Sequence, residues 1–484
     1  MISGALLLLF SILIFIAILV TKVGARFGVP TLLLFLLLGM LLGPDGLGIK
    51  FEDHELAQHF GHLAMTIILF TAGLQTSLKE TRPVMRPGIL LSSVGILLTI
   101  LITGGFIMLC FGASFHYAVL GPFLLAAILS PTDSHTVHSI LHSRRLRLRE
   151  GLAPMIDLES GSNDPMGLSI TLILVQILSK SQELASRPGT ALLIAFVLLV
   201  QQIGVGVGVG FAVGYGARWL LKRVKVPGNT LNAIFLLSIG LFANGLADIL
   251  HGNDLLAIYI AALLISNRAD LRGRKEVNSF FDGITWLMQL GMFLMLGLLA
   301  RPSRMLPTLL PAVAVGLILI FVARPASVLL TLLPFRKVSF RAKLFTSWVG
   351  IKGTGPILFA LFPIVAGLEG APDILNIVFV ITLLSLVLQG MTLRPLARAL
   401  RLSYEEDPRV ETFGMEIPEE MGMLRDHTVT EDDLAQGATL RDLALPHGIR
   451  VVMVRRGERF LVPHGSMALE AGDRLVIIMG ESDD

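Results

Sequence analysis

Residues 157–165 read Asp-Leu-Glu-Ser-Gly-Ser-Asn-Asp-Pro, and apolar residues continue on both sides of this polar stretch. The segment 152–177 that contains it is long enough to cross a bilayer as a helix. Three carboxylates, those of Asp157, Glu159 and Asp164, therefore fall inside one membrane-spanning segment. A charge in hydrocarbon is costly unless it is paired or hydrated, so such acids usually mark an ion or proton path.

The composition of the whole chain is typical of a polytopic membrane protein. Of its 484 residues, 54% are hydrophobic and 15% are charged, whereas soluble domains are about 25% charged. The first apolar run, 2–21, lacks a basic start and a small-residue cleavage site, so we interpret it as a retained helix. The single cysteine, Cys110, excludes internal disulfides and Cys-rich metal sites. The net charge is only +3 and the cations lie in short loops, so we predict no nucleic-acid partner.

Alternating apolar runs and polar loops predict about thirteen transmembrane helices. One alternate set of loops holds most of the Lys and Arg, for example at 144–149, 222–225 and 336–343, while the other set holds few, such as Lys50 and Arg301. Loops rich in Lys and Arg face the cytoplasm. We therefore predict a multi-pass protein of the bacterial inner membrane, with its N-terminus outside and its C-terminus in the cytoplasm.

Two of the predicted helices are interrupted by Pro and Gly. The fifth, 118–142, contains Leu129-Ser-Pro-Thr-Asp133, and the twelfth, 344–366, contains Gly350-Ile-Lys-Gly-Thr-Gly-Pro356. Such breaks at membrane depth occur where the backbone lines a cavity or is buried against protein. Because the two helices are seven apart in order, they run in opposite directions, which is typical of inverted repeats with an ion site at their crossing.

The predicted fold class is therefore an all-α polytopic membrane protein with a small α+β cytoplasmic domain at its C-terminus. Predicted helices 1–6 and 8–13 are the inverted repeats, and helix 7 links them. The predicted boundaries are 1–400 for the transmembrane domain, 401–420 for an acidic linker and 421–484 for the cytoplasmic domain.

Two acids near the breaks are the candidates for ion chemistry. Asp133 follows the break in the fifth helix, and Asp164 lies deep in the sixth. A buried carboxylate can be neutralised by a proton or by a cation, and Ser160, one helical turn before Asp164, places a hydroxyl on the same face. Competition for one site, in a protein that reorients only when that site is occupied, gives cation/proton exchange.

Glu159 needs a cationic partner at membrane depth. Arg324, in the middle of the eleventh predicted helix, is the preferred partner, because it is also an isolated intramembrane charge. We interpret Glu159 and Arg324 as a structural ion pair. Lys352, the cation at the break of the twelfth helix, is the alternative partner.

Histidines follow Asp133 and also lie near the outer end of the third helix. The histidines after Asp133 are His135, His138 and His142, and their spacing places them near one helix face. Three roles remain open for them: sensing pH, binding a metal ion, or lining a water-filled funnel. The outer group is expected to be solvated; it comprises His54, His59 and His62.

The glycines of 204–216 superficially resemble a dinucleotide-binding loop, but Gly206, Gly210 and Gly214 recur every four residues, which predicts close helix packing.

The polar motifs together resemble a known family. Thr132-Asp133 on a broken helix, followed by Glu159-Ser160-x-x-Asn163-Asp164-Pro165, is similar to the motifs of cation:proton antiporters of the NhaP/NHE branch. Three further segments resemble motifs of the same family; they are Phe70–Leu74, Arg324-Pro325 and Gly350–Gly353.

This resemblance implies a homodimer in which a mobile core domain moves as an elevator against a dimer domain. It implies ion coordination by Asp164, Ser160 and the Thr132 backbone, with Asp133 contributing directly or through water. Electrogenic relatives carry a second Asp where this chain has Asn163, which implies electroneutral exchange. No cofactor or resident metal is implied beyond the transported K⁺ or Na⁺ and H⁺.

The sequence departs from the family pattern in the histidines that follow Asp133 and at two single positions. Many relatives carry an acid where this chain has Thr71, so one cation ligand or gate is missing. The usual Arg of the twelfth helix is Lys352, a less directional cation. Both departures leave ion selectivity open.

The tail resembles a TrkA-C (RCK-C) domain. Its predicted elements are a short helix at 439–445, strands at 449–456 and 459–462, and a strand at 473–479. Domains of this kind pair and bind small, nucleotide-like ligands in K⁺ transport proteins, which favours K⁺ here by association. A regulatory module and a mere assembly domain both remain open.

The function predicted from the sequence is exchange of a monovalent cation, K⁺ in preference to Na⁺, for protons; the protein is not predicted to be an enzyme. Two alternatives come from other classes. A ligand-gated cation channel is suggested by the tail, although a filter-like re-entrant loop is not recognisable. A degenerate, non-transporting ion or pH sensor is suggested by Thr71 and Lys352.

Overall fold

The computed structural model describes most of the chain in two compact units, Met1–Tyr404 and Glu405–Asp484. The residues described are 11–19, 21, 30–111, 119–142, 146–180, 188–224, 226–268, 273–405, 424–434, 437, 439–443, 449–456 and 459–479. Most of the predicted linker, from 406 onward, lies outside this part of the chain.

The first unit is almost entirely helical. Its N-terminal half contains α1 (11–19), α2 (Thr31–Leu42), α3 (His54–Gln75), α4 (Leu78–Phe111), α5 (Leu120–Leu129), α6 (Ser134–His142), α7 (Leu152–Lys180) and α8 (Pro188–Arg223). Its C-terminal half contains α9 (Asn229–Ile249), α10 (Asp254–Arg268), α11 (Arg274–Leu299), α12 (Pro302–Met305), α13 (Leu309–Thr331), α14 (Phe340–Trp348), α15 (Thr354–Val365) and α16 (Ala371–Ala399).

Within the described part of the chain, six helices are long and apolar enough to cross a membrane; they are α4, α8, α9, α11, α13 and α16. Three shorter apolar helices are α2, α10 and α15. α7 has a sufficient length of 29 residues, but it carries the carboxylates of Asp157, Glu159 and Asp164 within its sequence.

The helices of the first unit pack as two groups. In the scaffold group, α8 packs on α10, α10 on α3 and α9, and α11 on α2 and α3. In the core group, α4 packs on α5, α5 on α7, and α13 on α14 and α16. α15 contacts members of both groups. The two groups meet along α7, which also touches α8 and α10.

The glycine repeat of α8 is a packing surface, as its spacing predicts. A Cβ atom at Gly210 would lie 2.8 Å from the Ala257 carbonyl oxygen, and one at Gly214 would lie 2.8 Å from the Leu264 side chain. Only glycine allows α8 and α10 to approach this closely. A dinucleotide-binding function for this segment therefore has no structural basis.

Both predicted helix breaks are present in the structure. The first separates the end of α5 at Leu129 from the start of α6 at Ser134, and the second separates α14, which ends at Trp348, from α15, which begins at Thr354. The breaks lie side by side, because the Asp133 N–H donates to the Ile351 carbonyl at 3.0 Å. The half-helix ends of both breaks therefore meet at one point.

In its described residues, the second unit is a small antiparallel sheet with one short helix. Its elements are β3 (Leu424–Thr428), α17 (Glu431–Leu434), β4 (Ile449–Arg456), β5 (Arg459–Leu461) and β6 (Arg474–Met479), and the strand order is β3-β6-β4-β5. β4 and β6 pair from Ile449 with Met479 to Arg455 with Arg474, with one irregularity between Val451 and Met453. Val454, Leu475 and Ile477 are central to its apolar core.

Two local predictions differ from the structure. Residues 439–443 form a bridge and turns rather than the start of a helix, because Thr439 pairs with Ala468 and the Leu440 N–H donates to the Met467 carbonyl at 2.9 Å. The first residues of the predicted linker are also ordered, since β2 (Ser403–Glu405) pairs with β1 (Leu146–Leu148). In both places backbone pairing with a distant segment overrides the local propensity.

Candidate ion-binding site

The first break is held by charges that match the dipoles of its two half-helices. Lys352 donates from Nζ to the carbonyl oxygens of Ser130 at 3.1 Å and Pro131 at 2.9 Å, at the C-terminal end of α5. Asp133 accepts from the Thr136 N–H at 3.1 Å and so caps the N-terminus of α6. A cation at a helix C-terminus and an anion at an N-terminus are both stabilising. This arrangement keeps an irregular segment stable at membrane depth.

The second break is tied to α16 by a chain of hydrogen bonds. The Lys352 N–H donates to Ser385 Oγ at 2.9 Å, and Ser385 donates to Gln389 Oε1 at 2.6 Å. Gln389 donates from Nε2 to the Trp348 carbonyl at 2.8 Å, at the end of α14. The backbone groups freed by the break therefore find partners on α16, as burial requires. The roles of Ser385 and Gln389 were not predicted from the sequence.

Three polar side chains join α7 to the first break. Ser160 donates from Oγ to the Thr132 carbonyl at 2.7 Å and accepts from the Ser134 N–H at 3.0 Å. Asn163 donates from Nδ2 to Thr132 Oγ1 at 2.6 Å and is fully buried. The Thr132 carbonyl retains a second lone pair. The predicted ligands Thr132, Ser160 and Asn163 therefore lie together, with their relative positions fixed.

Asp164 lies beside this cluster, at a small cavity of about 30 Å³. Thr132, Asp133 and Gly355 line the same cavity, and the start of α15 closes it. Within the described part of the chain, no group donates a hydrogen bond to the Asp164 carboxylate. A cavity of this kind needs about 10–15 Å³ to admit one water molecule. The cavity beside Asp164 therefore has room for at least one water or small cation.

Glu159 is placed differently, although it lies on the same helix. Arg324 Nη2 lies 2.5 Å from Glu159 Oε1, and both side chains are almost completely buried. The two groups are close enough to form an ion pair, but their geometry is not that of a hydrogen bond. Arg324 Nε also has no hydrogen-bond partner among the described residues. Arg324 directly follows a turn of π-helix, Leu319–Ala323, which displaces its side chain relative to a regular helix.

The three histidines after Asp133 have different surroundings. His135 lines the cavity that contains Asp164. His138 lies three residues further on, and its Nε2 is 2.5 Å from Asp157 Oδ1. The side chain of His142 lies outside the described residues. Asp157, for which the sequence indicated no role, is thus a partner of His138, and the described residues contain no group of three side chains suited to hold a metal ion.

Beyond Asp164, α7 borders a much larger polar cavity of about 660 Å³. Asn253 joins the two groups of helices at its base, because it donates from Nδ2 to the Pro165 carbonyl and to Ser169 Oγ, both at 2.7 Å. His62, expected to be solvated, lines this cavity with its side chain 30% exposed, and its Nε2 lies 3.0 Å from Asp254 Oδ2. This contact arises because α3 packs against α10, which begins at Asp254.

Thr71, where many members of the family carry an acid, is buried and hydrogen-bonded. It donates from Oγ1 to the Ile67 carbonyl at 2.9 Å, and it accepts from Thr285 Oγ1 at 2.9 Å. The hydroxyl is therefore occupied by protein partners.

Two helix breaks that lie side by side, with an acid facing a small cavity, are features expected of an ion-transporting membrane protein. Residues 10–399 match the family model described as "Sodium/hydrogen exchanger, transmembrane". The chain belongs to this family of cation/proton antiporters, and family membership accords with a transporter rather than an enzyme. Residues 424–483 match the TrkA-C domain.

Several characterised proteins are similar to this chain over most of its length. It is 36% identical to the K⁺/H⁺ antiporter NhaP2 of Shewanella sp. (strain MR-4), over 96% of this chain and 79% of the relative. It is also 36% identical to the K⁺/H⁺ antiporter NhaP of Alkalimonas amylolytica, over 95% and 75% of the two chains. The Na⁺/H⁺ antiporter ApNhaP of Aphanothece halophytica is 25% identical, over 75% and 69%.

Among solved structures, the fold is similar to that of the sodium proton antiporter MjNhaP1 from Methanocaldococcus jannaschii at pH 8. The TM-score is 0.68 at 24% identity, and the match covers 81% of this chain and 97% of the other. This similarity concerns the fold.

Proposed function

We propose that the protein exchanges K⁺, or less readily Na⁺, for protons, and that Asp164 carries either ion. The observation that supports this most directly is the Asp164 carboxylate at a cavity of about 30 Å³, without a hydrogen-bond donor among the described residues. A carboxylate in that position has two routes to neutrality, a proton or a cation. Because both use the same oxygens, each ion displaces the other.

The neighbouring groups complete the proposed site. The second lone pair of the Thr132 carbonyl and the Ser160 hydroxyl are available as neutral oxygen ligands, and Asp133 acts directly or through water. Asn163 holds Thr132 in place and adds no charge, so one cation exchanges for one proton and the cycle is electroneutral. The K⁺ preference rests on the names of the relatives at 36% identity and on the TrkA-C domain.

We further propose alternating access by an elevator movement. The core group of helices carries the site and slides against the scaffold group, which forms the dimer contact of a homodimer. Support comes from the separate packing of the two groups and from the two helix breaks, which lie side by side. About thirteen spanning helices with inverted repeats, 1–6 and 8–13 in the predicted order, fit this scheme.

In the proposed orientation, the protein spans the bacterial inner membrane with its N-terminus outside. The Asp157 end of α7 then faces the cytoplasm, and the Gln176 end faces outward. The linker 401–420 and the domain 421–484 lie in the cytoplasm, where the domain binds a small nucleotide-like ligand or pairs with its copy. His138, with Asp157, and His135 are candidates for sensing cytoplasmic pH, and His142 belongs to the same group by spacing.

Purified protein in proteoliposomes with an internal pH dye tests the exchange. Pulses of K⁺ and Na⁺ are compared for wild type and Asp164→Asn, with and without a potassium-diffusion potential. Wild type should change the internal pH, with more response to K⁺, and the potential should have no effect. Asp164→Asn should reduce exchange at least about a hundredfold, while its melting temperature stays within a few degrees.

A wild-type protein that leaves the dye unchanged would reject the antiporter function. Conductance without coupled proton movement would instead indicate a channel. Asn163→Asp is the matched test of stoichiometry, because it adds a carboxylate at a position that is fully buried. Exchange by this variant should respond to the membrane potential, and the same response in wild type would reject electroneutrality.

A further inference from the structure

The polar cavity at the Gln176 end of α7 carries titratable groups that the proposed exchange does not use. It encloses about 660 Å³ and lies between the core group, through α7, and the scaffold group, through α3 and α8–α10. Its floor is Asn253, whose amide holds the carbonyl of Pro165, the residue after Asp164. The cavity therefore reaches the backbone of the residue that follows Asp164.

Five titratable side chains line the cavity within the described part of the chain; they are His59, His62, Asp248, His251 and Asp254. The lining residues of α7, α8 and α15 are polar or apolar but not charged. His62 and Asp254 form the pair in the wall, with 3.0 Å between Nε2 and Oδ2. Asn244 donates from Nδ2 to the same Asp254 oxygen at 3.1 Å.

The charge of this lining depends on pH in a simple way. With neutral histidines the two aspartates leave the cavity with two negative charges, and with protonated histidines the same lining carries one positive charge. Histidine is the side chain that titrates near neutral pH. A cleft lined by one sign of charge concentrates ions of the opposite sign. Protonation of the histidines would therefore turn the net charge of the lining from negative to positive and remove its attraction for cations.

We propose that this cavity is an external antechamber that gathers monovalent cations at neutral and alkaline external pH and repels them in acid, with His62–Asp254 as its switching pair. At low pH, protonated His62 neutralises Asp254 directly. At higher pH, neutral His62 leaves the Asp254 charge to attract a hydrated cation. The inference rests on the proposed exchange function and adds a second, one-sided control to it.

This control differs from competition at Asp164, because that site is reached from both faces of the membrane in turn. Competition at Asp164 makes protons raise the apparent KM for the cation on either side. The antechamber makes external protons raise the external KM further, without acting on the cytoplasmic side. A difference between the two faces is therefore its signature.

Right-side-out and everted membrane vesicles separate the two faces. Wild type, His62→Gln and Asp254→Asn are compared by the KM for K⁺ at pH 6, 7 and 8 on the outer side of the vesicle. Glu55→Gln is the matched control, since it removes an exposed acid of the same helix that does not line the cavity.

In right-side-out vesicles, Asp254→Asn should raise the KM about threefold at pH 8 with an unchanged maximal rate. His62→Gln should flatten the rise in KM between pH 8 and pH 6. In everted vesicles both variants should match wild type, and Glu55→Gln should match it in both orientations. Thermal melting checks folding, and if Asp254→Asn does not fold, the pH profile of His62→Gln decides alone.

Two results would overturn the antechamber while leaving exchange intact. One is that the variants change the KM for K⁺ equally on both faces of the membrane. The other is that His62→Gln has the same pH profile as wild type in right-side-out vesicles. Absence of exchange in wild-type vesicles of both orientations would instead reject the proposed function, and the antechamber with it.

Discussion

Glu159 and Asp164 lie on the same helix, little more than one turn apart, yet they are neutralised in different ways. Glu159 is 2% exposed and lies against Arg324, which is 3% exposed. Asp164 faces a cavity and receives no hydrogen bond from the described residues. The first acid has its counter-charge supplied by the protein, and the second must take its counter-charge from outside.

This contrast explains how one membrane helix can be both rigid and functional. A buried acid with a fixed partner costs little once the pair is formed, but it cannot exchange that partner. An acid with room for one small ion keeps the choice between a proton and a cation. The side chains between the two acids, Ser160 and Asn163, fix α7 to the first break and so hold the cavity open.

The largest predicted effect on stability comes from breaking the fixed pair. Arg324→Ala should lower the free energy of unfolding by about 3–5 kcal/mol, because it leaves Glu159 charged and buried without a partner. Thermal melting of the purified protein in detergent measures this loss. The double variant Glu159→Gln with Arg324→Ala should recover part of it. An Arg324→Ala protein as stable as wild type would show that the pair does not hold the fold.

A smaller effect is predicted for crowding the open site. A Cβ atom at Gly353 would overlap the Asp133 carboxylate, so Gly353→Ala should displace that side chain and strain the break. Overpacking of this kind costs about 1–3 kcal/mol, and exchange in proteoliposomes should fall about tenfold. Gly283→Ala is the matched control, because a Cβ there meets no atom within 4 Å. Equal activity of the two variants would contradict a tightly packed site.

The smallest effect is predicted in the C-terminal domain, for a similar pair in which Asp473 is buried but Arg456 reaches water. Arg456 donates from Nη2 to Asp473 Oδ2 at 2.7 Å and from Nε to Oδ1 at 2.9 Å, and the Arg456 side chain is 33% exposed. The hydrogen bond from Arg456 lowers the pKa of Asp473 below its usual value. Asp473→Asn should cost the C-terminal domain about 1 kcal/mol at neutral pH.

The sign of the pH dependence follows from the lowered pKa. Asp473 stabilises the folded domain above its unfolded pKa of about 3.9, and this contribution is lost as the pH falls through the folded value. Limited proteolysis of the full-length protein between pH 6 and pH 3 should show wild-type protection decreasing in acid. The same decrease in Asp473→Asn would place the acid sensitivity elsewhere.

The sequence predicted those features that carry a local signal. Pro131 and Gly353 mark the two breaks, and the isolated charge of Arg324 in an apolar run indicates a partner for Glu159. The roles of Ser385 and Gln389 could not be predicted in this way. A polar residue in an apolar helix indicates that it needs a hydrogen-bond partner, but the sequence does not identify that partner. The pairs His138–Asp157 and His62–Asp254 depend on how distant helices pack, which periodicity does not contain. The prediction of a helix at 439–445 was wrong for the described residues 439–443. Backbone pairing of Thr439 with Ala468 outweighs the helix propensity of this segment.

Proton release on cation binding tests the central claim most directly. Wild type, Asp164→Asn and the double variant Glu159→Gln with Arg324→Ala, each in weakly buffered detergent solution near pH 7, receive K⁺ while a pH dye reports released protons. Wild type and the double variant should release up to one proton per bound cation, and Asp164→Asn should release none. Release from Asp164→Asn equal to that of wild type would contradict the account, because the exchanging acid would then lie elsewhere.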